Sequence, residues 1–350
     1  MKKRRILALL LFIAIIASLL SSCEITDKDP EPQSKTYYEF FDTVSVIFSY
    51  CGDTEEIFED NCTAVYELLE KYHRLFDIYY EYSGMNNLKT VNKNAGVAPV
   101  KVEKELIDFL LYAKEIYTLT DQKTNIAMGS VLKLWHDERE YALDNPESAK
   151  IPAKDMLDAA AMHTDIDSIV IDKDNSTVYI SDPYTRIDVG AIGKGYATER
   201  AAELLIGRGV DSYVLNIGGN IRTIGTKPSG DGWITGIKNP DKNSSESFVC
   251  RVVLKNYSLV TSGDYERFYT VGNKKYHHII DPMTNMPSTY FSSVSVFCLD
   301  SALADALSTA LFCVSYEDGI DMIEDIEGVE VVWVGTDGTV KMTDGVTLFP

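Results

Sequence analysis

The stretch Asp188-Val-Gly-Ala-Ile-Gly-Lys-Gly195 decides how the chain on either side of it can fold. It predicts a strand that ends in Ile187-Asp188-Val189, a glycine-rich turn, and a helix from Tyr196 to Arg208 that ends before Gly209. The start of this helix carries the carboxylate of Asp188, the ammonium of Lys194 and several glycines. Glycines let a ligand approach the backbone closely, and many anion-binding sites lie at such a helix start. The spacing is neither GxGxxG nor a P-loop, so an ordinary strand-to-helix turn fits these residues equally well.

Helical and strand patterns alternate outward from this stretch in both directions. Before it, the sequence predicts a strand at 39–48, helices at 55–76 and 103–119, loops at 79–98 and 121–129, a helix-prone segment at 138–161, and short strands at 168–171 and 177–180. After it come strands at 210–217 and 221–225, strands and hairpins from 233 to 296, a helix at 301–314 and a hairpin at 329–341. The pattern predicts one large α+β domain, in which a mixed or antiparallel sheet packs against helices.

The helix predicted at 301–314 carries a second group of candidate residues. Asp305 and Thr309 are four positions apart, so both project from one face of an otherwise apolar helix. A carboxylate and a hydroxyl are suitable ligands for Mg2+, together with a backbone carbonyl, phosphate and water. The spacing is equally compatible with a buried Asp that bonds a hydroxyl or a backbone amide.

Two further segments have the composition of ligand-contacting turns. His277 and His278 end a predicted hairpin strand, and because neighbouring strand residues face opposite sides, at most one of them points into a site. The segment 261–267 (TSGDYER) includes Asp264 at another strand end. An exposed histidine and an ordinary surface hairpin are the simpler interpretations of these two segments.

The N-terminus predicts export and a lipid anchor. Four basic residues at 2–5 precede an apolar run from Ile6 to Leu20, followed by Ser-Ser-Cys23. This is the pattern of a signal peptide at 1–22 whose cleavage leaves a diacylated Cys23, although a signal peptide with an unmodified cysteine is also possible. Residues 23–35 then form an acidic tether, and 36–350 form the folded domain.

The net charge argues against one class of partner, and the cysteine spacing indicates what the cysteines do. The formal net charge is −20, which disfavours nucleic-acid binding because a phosphate polymer would be repelled. The cysteines other than Cys23 form no CxxC pair, and we expect most of them to be buried apolar residues.

Five segments, taken in order, resemble the ApbE family of FAD:protein FMN transferases. They are DVGAIGKGYA at 188–197, LNIGGN at 215–220, TSGDYER at 261–267, HIIDP at 278–282 and ADALSTAL at 304–311. The resemblance begins near Phe40 and covers essentially the whole predicted domain, and it implies an ApbE-like, T-fold-like architecture.

The resemblance also implies a set of site residues. Mg2+ would be held by the carbonyl of Ala191, the carboxylate of Asp305 and the hydroxyl of Thr309. FAD would contact Phe41, Tyr79, Lys123, Thr124, Asn125, Asp188, Lys194 and Ile279. Asn125 stands where the family usually has Asp, which changes the charge at that contact. His278 is our first choice for the general base, with Asp264 as the alternative.

The implied reaction is Mg2+-dependent transfer of FMN from FAD to a threonine hydroxyl of an acceptor flavoprotein, with release of AMP. Two other functions use the same site: a Mg2+-dependent FAD pyrophosphatase that yields free FMN and AMP, and a non-catalytic FAD-binding lipoprotein. We expect the protein to lie on the extracytoplasmic face of the cell membrane, anchored by lipid on Cys23.

Overall fold

An eight-stranded antiparallel sheet with the strand order β1-β2-β6-β7-β10-β15-β16-β17 forms the centre of the fold. The structure, a computed structural model, describes residues 31–349. The strands of the sheet are β1 (Gln33–Tyr37), β2 (Ser45–Ser49), β6 (Ser212–Ile217), β7 (Asn220–Gly225), β10 (Ser258–Gly263), β15 (Phe291–Cys298), β16 (Glu330–Gly335) and β17 (Val340–Met342).

Smaller sheets lie around this central one. The strands β3 (Val100–Lys101), β5 (Thr177–Ile180) and β4 (Ile169–Asp172) form a three-stranded sheet in that order. Three strand pairs complete the set: β8 (Trp233–Lys238) with β9 (Phe248–Leu254), β11 (Phe268–Val271) with β12 (Lys274–His277), and β13 (Ile280–Asp281) with β14 (Met286–Pro287).

Eight α-helices occur within residues 31–349. They are α1 (Glu55–Phe76), α2 (Leu88–Lys93), α3 (Lys104–Leu119), α4 (Gly129–Asp144), α5 (Lys154–Ala161), α6 (Gly193–Gly207), α7 (Ser301–Phe312) and α8 (Tyr316–Ile323). None of these helices is long and apolar enough to span a membrane.

The two faces of the central sheet are covered differently, because successive strand residues point to opposite sides. Val260 and Val296 pack with Leu307 and Leu311 of α7 on one face. Leu259 and Phe297, their neighbours in sequence, pack on the other face with residues of the β8–β9 hairpin. The helices α6 and α7 also contact each other, so both motif-bearing segments lie on the same side of the sheet.

The α+β class with an antiparallel sheet and packed helices is confirmed, and so are most of its elements. The helix predicted at 55–76 is α1, with the Thr54 side chain as its N-cap. The predicted strand at 39–48 is shorter than expected, since β2 begins at Ser45 and residues Phe41 and Asp42 take positive φ angles of 53°. The five free cysteines within the described residues are Cys62, Cys298 and Cys313, which are buried, and Cys51 and Cys250, which are partly exposed.

Other local predictions also differ from the structure, and the helix-prone segment at 138–161 forms the separate helices α4 and α5. The segment Ile187–Val189 is extended but forms no strand, because its backbone bonds to Ile126 and to the side chain of Asn92 instead of to a sheet. The loop at 79–98 contains the short helix α2. The first strand, β1, starts at Gln33, three residues before the expected start of the domain, because it pairs with β2. The signal peptide and Cys23 lie outside the described residues.

Candidate active site

The start of α6 meets the middle of α7 at Asp305. The backbone amide of Gly195 donates to Asp305 Oδ2 at 2.7 Å, and Lys194 Nζ lies 3.6 Å from Asp305 Oδ1. Asp305 is 4% exposed. A Cβ at position 195 would lie 2.4 Å from both Asp305 Cβ and the carbonyl oxygen of Ser301, so only glycine allows the helices to approach this closely. The predicted anion turn and the predicted metal helix are therefore in contact.

Thr309 lies one turn further along α7, next to a hydroxyl of β10. Its Oγ1 is 3.4 Å from the carbonyl oxygen of Asp305 and 3.5 Å from Ser262 Oγ, both at the upper limit for a hydrogen bond. Ala191 lies four residues before Gly195, in the turn where Ile192 and Gly193 donate to the carbonyl of Val189.

The chemistry of these donors is compatible with a hard divalent cation. Mg2+ prefers oxygen ligands. The buried Asp305 carboxylate has one oxygen whose partner is the Lys194 ammonium at 3.6 Å, and the Thr309 hydroxyl makes only long hydrogen bonds. Both groups could therefore serve as such ligands. No group of three or more His, Cys, Asp or Glu residues in the described part of the chain could hold a metal, so a cation here would also need carbonyl, water or phosphate oxygens. A buried Asp with a purely structural role would also accept a bond from a backbone amide, as Asp305 does from Gly195. The metal assignment therefore stays a prediction.

The loop after α3 is bonded to α7 and to the β13–β14 turn. Thr124 Oγ1 donates to the carbonyl of Ala306 at 2.9 Å, and Lys123 Nζ lies 3.0 Å from Asp281 Oδ1. Asn125 Nδ2 donates to the carbonyl of Thr164 at 2.9 Å. An Asp at position 125 could not make this last bond, because an ionised carboxylate has no donor. The side-chain amide of Asn125 therefore links the loop to Thr164 through a bond that an Asp, the residue usual in the family, would not form.

A cavity of about 260 Å³ lies beside this loop. Its volume is below the range typical of drug-sized ligands, so a dinucleotide would not fit inside it as a whole. The lining residues come from the loop, from the residue before β15, from the chain after α7 and from α8: Asp121, Lys123, Tyr290, Cys313, Val314, Asp318 and Met322.

Asp188 and Tyr79 lie near a group of cationic side chains. The Asp188 carboxylate accepts a bond from the Gly190 amide at 2.9 Å. Burial raises the pKa of Asp188, and the Gly190 amide and the charges of His136 and Arg267 partly offset this increase. The ring of Tyr79 is 54% exposed and lies 5.8 Å from the His136 ring. An exposed aromatic ring in this position is available to stack on a planar ligand.

Phe41 lies in a backbone turn that leads into β2. Its amide donates to His73 Nδ1 at 3.2 Å, and the two rings meet edge to face with centroids 5.6 Å apart. The positive φ angles at Phe41 and Asp42 are uncommon for residues with side chains. This strained turn is held by the contact with α1.

The two adjacent histidines face different surroundings, as strand alternation predicts. His277 is buried and lies 2.8 Å from the carbonyl of Ser288. His278 is solvent-accessible, although protein atoms surround much of the ring. Burial, followed by the charge of Arg267, lowers the pKa of His278 to about 3. The imidazole is therefore neutral at physiological pH and can accept a proton, but its lowered pKa makes it a weaker base than an ordinary histidine.

The other candidates in this region are less available. The Asp264 carboxylate is paired with Lys275 at 2.7 Å. Ile279 is 6% exposed and belongs to the apolar core, and its amide and carbonyl bond to His277 and Ser288 respectively. Ile279 has little surface to offer a flavin.

Several residues that sequence reasoning did not select also lie in this region. Arg139 Nη2 is 3.1 Å from His136 Nδ1 on α4. The charges of Arg139 and Arg267 both act on His278 and Tyr79. A buried pair between Glu199 and Arg222 contacts Ser301, one helical turn before Asp305. Arg267 is the last residue of the 261–267 motif and Glu199 lies two residues after the 188–197 motif, but nothing in the spacing of His136 and Arg139 indicates a site.

Comparisons with known proteins identify the family of this chain. A family model described as the ApbE family matches residues 43–333. The chain belongs to the ApbE family. Among the relatives is an FAD:protein FMN transferase of Treponema pallidum, 32% identical over 274 residues that make up 74% of this chain and 73% of the relative. Another relative of the same name, from Klebsiella pneumoniae, is 28% identical and is matched over 77% of this chain and 80% of its own length.

Solved structures of ApbE proteins have the same fold. The crystal structure of the ApbE protein of Thermotoga maritima aligns with a TM-score of 0.78 and 26% identity, over 90% of this chain and 97% of that one. The flavin transferase ApbE of Vibrio cholerae aligns with a TM-score of 0.74 at 23% identity, over 91% and 97% of the two chains. The resemblance to the ApbE family and the expected architecture are thus confirmed.

Proposed function

We propose that this protein transfers the FMN half of FAD to a threonine hydroxyl of an acceptor protein, in a Mg2+-dependent reaction that releases AMP. The observation that carries the proposal is the junction of α6 and α7, where the Gly195 amide and Lys194 meet the Asp305 carboxylate in a chain of the ApbE family. Curated relatives that share this family are named FAD:protein FMN transferase.

Asp305, Thr309 and the carbonyl of Ala191 would hold the magnesium ion. When bound, the ion would supply positive charge that offsets the charge of the FAD pyrophosphate and makes its phosphorus more electrophilic. Lys194 adds a fixed ammonium beside the same carboxylate, at the first turn of α6. The helix N-terminus also favours a phosphate group there.

The reaction is a displacement at the phosphorus on the FMN side of FAD. The acceptor hydroxyl oxygen forms a bond to this phosphorus, the bond from phosphorus to the bridging oxygen breaks, and AMP leaves with the electron pair. The hydroxyl proton passes to the neutral imidazole of His278. Asp264 is a weaker candidate for this role, because Lys275 holds its carboxylate.

The test is the variant Asp305→Ala. We expect the purified variant to lose transfer, because the only carboxylate in the predicted metal site is removed. The readouts are in-gel flavin fluorescence of a co-incubated acceptor and a mass increase of the acceptor by one FMN less water. Asp321→Ala, which removes an exposed carboxylate of α8, is the matched control and should label the acceptor normally.

Normal labelling by Asp305→Ala would refute the metal role. Incubation of the unaltered protein with FAD and Mg2+ but without acceptor distinguishes the alternatives. Rapid release of AMP would favour the FAD pyrophosphatase, and intact FAD both with and without acceptor would favour the non-catalytic flavin-binding lipoprotein.

We also propose that the acceptor is an exported flavoprotein with a threonine-containing target motif, and that lipid on Cys23 holds the enzyme at the extracytoplasmic face of the membrane. The basis is the pattern of residues 2–23. In cells fed an alkyne fatty acid, the protein should carry the label and sediment with membranes, and Cys23→Ser should lose both properties. Label retained by Cys23→Ser would contradict the assignment. Cys51→Ser, which changes a partly exposed cysteine of the described domain, is the control.

A further inference from the structure

A buried ion pair contacts α7 one helical turn before Asp305 of the candidate metal site. Arg222 of β7 and Glu199 of α6 have side chains that are 3% and 8% exposed, and Arg222 Nε lies 3.0 Å from Glu199 Oε2. Arg222 Nη1 also donates to the carbonyl of Thr223 at 2.6 Å. Buried ion pairs seldom add net stability, since desolvation of two charges offsets their attraction. A role other than stability is therefore worth seeking.

The Glu199 carboxylate has a second partner, at the start of α7. Its Oε2 accepts a bond from the backbone amide of Ser301 at 2.8 Å. Ser301 is the first residue of α7, so its amide has no acceptor within the helix. A carboxylate in this position satisfies that amide and interacts favourably with the helix dipole.

Glu199 and Gly195 together fix how α7 lies on α6. These two residues are four positions apart on α6, and Ser301 and Asp305 are four apart on α7. Each pair therefore lies on one face of its helix. Glu199 binds the amide of Ser301, and the amide of Gly195 binds the carboxylate of Asp305. Neither helix can slide or rotate on the other without breaking one of these buried bonds.

Arg222 supplies the positive charge that the buried Glu199 carboxylate needs. It extends from β7, a central strand, and its guanidinium also reaches Asn256 Oδ1 at 3.3 Å. Without Arg222, the Glu199 carboxylate would be a buried charge without a cationic partner, which is strongly unfavourable.

We propose that Glu199, paired with Arg222, is a positioning residue that sets the register of α7 on α6 and so places Asp305 and Thr309 for binding a divalent cation. This inference rests on the metal site of the proposed function. A residue that only stabilised the fold would affect unfolding but would not affect the affinity of the folded protein for the cation.

Two double variants separate these roles. Glu199→Leu with Arg222→Met removes both charges and also the acceptor for the Ser301 amide, without leaving a buried charge. Glu199→Gln with Arg222→Met removes both charges but keeps an amide oxygen that can accept from Ser301. Glu203→Gln is the matched control, because Glu203 lies one turn further along α6 and pairs with the partly exposed Arg200 at 2.8 Å.

The readout is the affinity for Mn2+ alone, measured by the loss of the free-ion electron paramagnetic resonance signal, with urea unfolding measured in parallel. We expect Glu199→Leu/Arg222→Met to weaken Mn2+ binding about 10-fold or more, within the range known for residues that orient metal ligands. Glu199→Gln/Arg222→Met and Glu203→Gln should bind Mn2+ much like the unaltered protein.

Equal Mn2+ affinity in a folded Glu199→Leu/Arg222→Met variant would overturn the inference. If that variant does not fold, Glu199→Asp decides the question, because the shorter side chain cannot reach Arg222 and Ser301 together. A folded Glu199→Asp protein should show weakened Mn2+ binding, and unchanged affinity would again overturn the role. Absence of Mn2+ binding by the unaltered protein, or full binding by Asp305→Ala, would instead refute the metal site of the proposed function.

Discussion

At the scale of single residues, two histidines that are adjacent in sequence have different surroundings. His277 turns inward and bonds the carbonyl of Ser288, and His278 turns towards Arg267 and the solvent. Their alternation along the strand was predictable, but which of them points outward depends on the register of β11 with β12. That register depends on contacts that adjacent residues alone do not reveal.

We predict that His278 titrates far below an ordinary histidine. Burial and the charge of Arg267 lower its pKa from 6.5 to about 3. An NMR titration of the imidazole should show this, and Arg267→Ala should raise the pKa, whereas Arg251→Ala on the β8–β9 hairpin should not. Titration of His278 near 6.5 in the unaltered protein would contradict the prediction.

The same shift has a consequence for stability, because the pKa of His278 is lower in the folded than in the unfolded protein. As the pH falls below 6.5, the unfolded chain takes up a proton that the folded state refuses until about pH 3, so protonation favours unfolding. Replacing His278 by Gln should therefore reduce the loss of stability on acidification across this window.

At the scale of elements, the contact of α6 with α7 depends on the absence of one side chain. Gly195→Ala would place a methyl group 2.4 Å from Asp305 Cβ and from the carbonyl oxygen of Ser301. We expect it to lower the free energy of unfolding by about 1–3 kcal/mol, as overpacking does. Urea denaturation measures the change.

Gly207→Ala is the matched control in the same helix, since a Cβ there meets no atom within 4 Å. It should be neutral or stabilise the protein by up to about 1 kcal/mol, because alanine favours a helix more than glycine does. If Gly195→Ala and Gly207→Ala changed the free energy of unfolding equally, helix propensity would explain both effects, and the contact of Gly195 with α7 would not matter for stability.

The elements that sequence reasoning identified best have long, regular patterns. The boundaries of α1 and the position of α7 follow from apolar periodicity over three or more turns. The helix α2 was missed because six residues are too few for a periodic signal. The strand predicted at Ile187–Val189 was wrong because a short apolar run can be buried without a partner strand.

Much of the candidate site could be predicted, but its supporting residues could not. Asp305 and Thr309 stand out through their spacing on one helix, and the motifs of the family add the turn at Ala191. The pairing of Glu199 with Arg222 could not be inferred, since the residues are 23 positions apart and lie on a helix and a strand. Only the packing of α6 on β7 brings them together.

At the scale of the whole molecule, the folded domain begins with an edge strand of the central sheet. All five residues of β1 pair with β2. Tyr37 Oη donates to the carbonyl of Cys62 at 3.1 Å, and the ring of Tyr37 packs against Tyr66. The strand therefore connects the sheet to α1, although its sequence resembles that of the preceding tether.

We predict that a chain starting at Pro32 unfolds at the same urea concentration as one starting at Glu24, whereas a chain starting at Tyr38 unfolds at a lower concentration. The shorter chain loses β1 and exposes the edge of β2, so it should also aggregate more readily. Identical midpoints for all three chains would show that β1 contributes nothing to the stability of the domain.

The bond between Thr124 and the carbonyl of Ala306 joins the loop assigned to the dinucleotide with the helix assigned to the cation. A shift of α7 on binding an ion would therefore disturb this bond to the loop. If the cation raises the affinity of the protein for the dinucleotide, thermodynamic linkage requires that the dinucleotide raise the affinity for the cation by the same factor. Under the proposed function, each ligand would thus act as an effector of the other, and the supply of magnesium would set how much flavin dinucleotide the protein can retain.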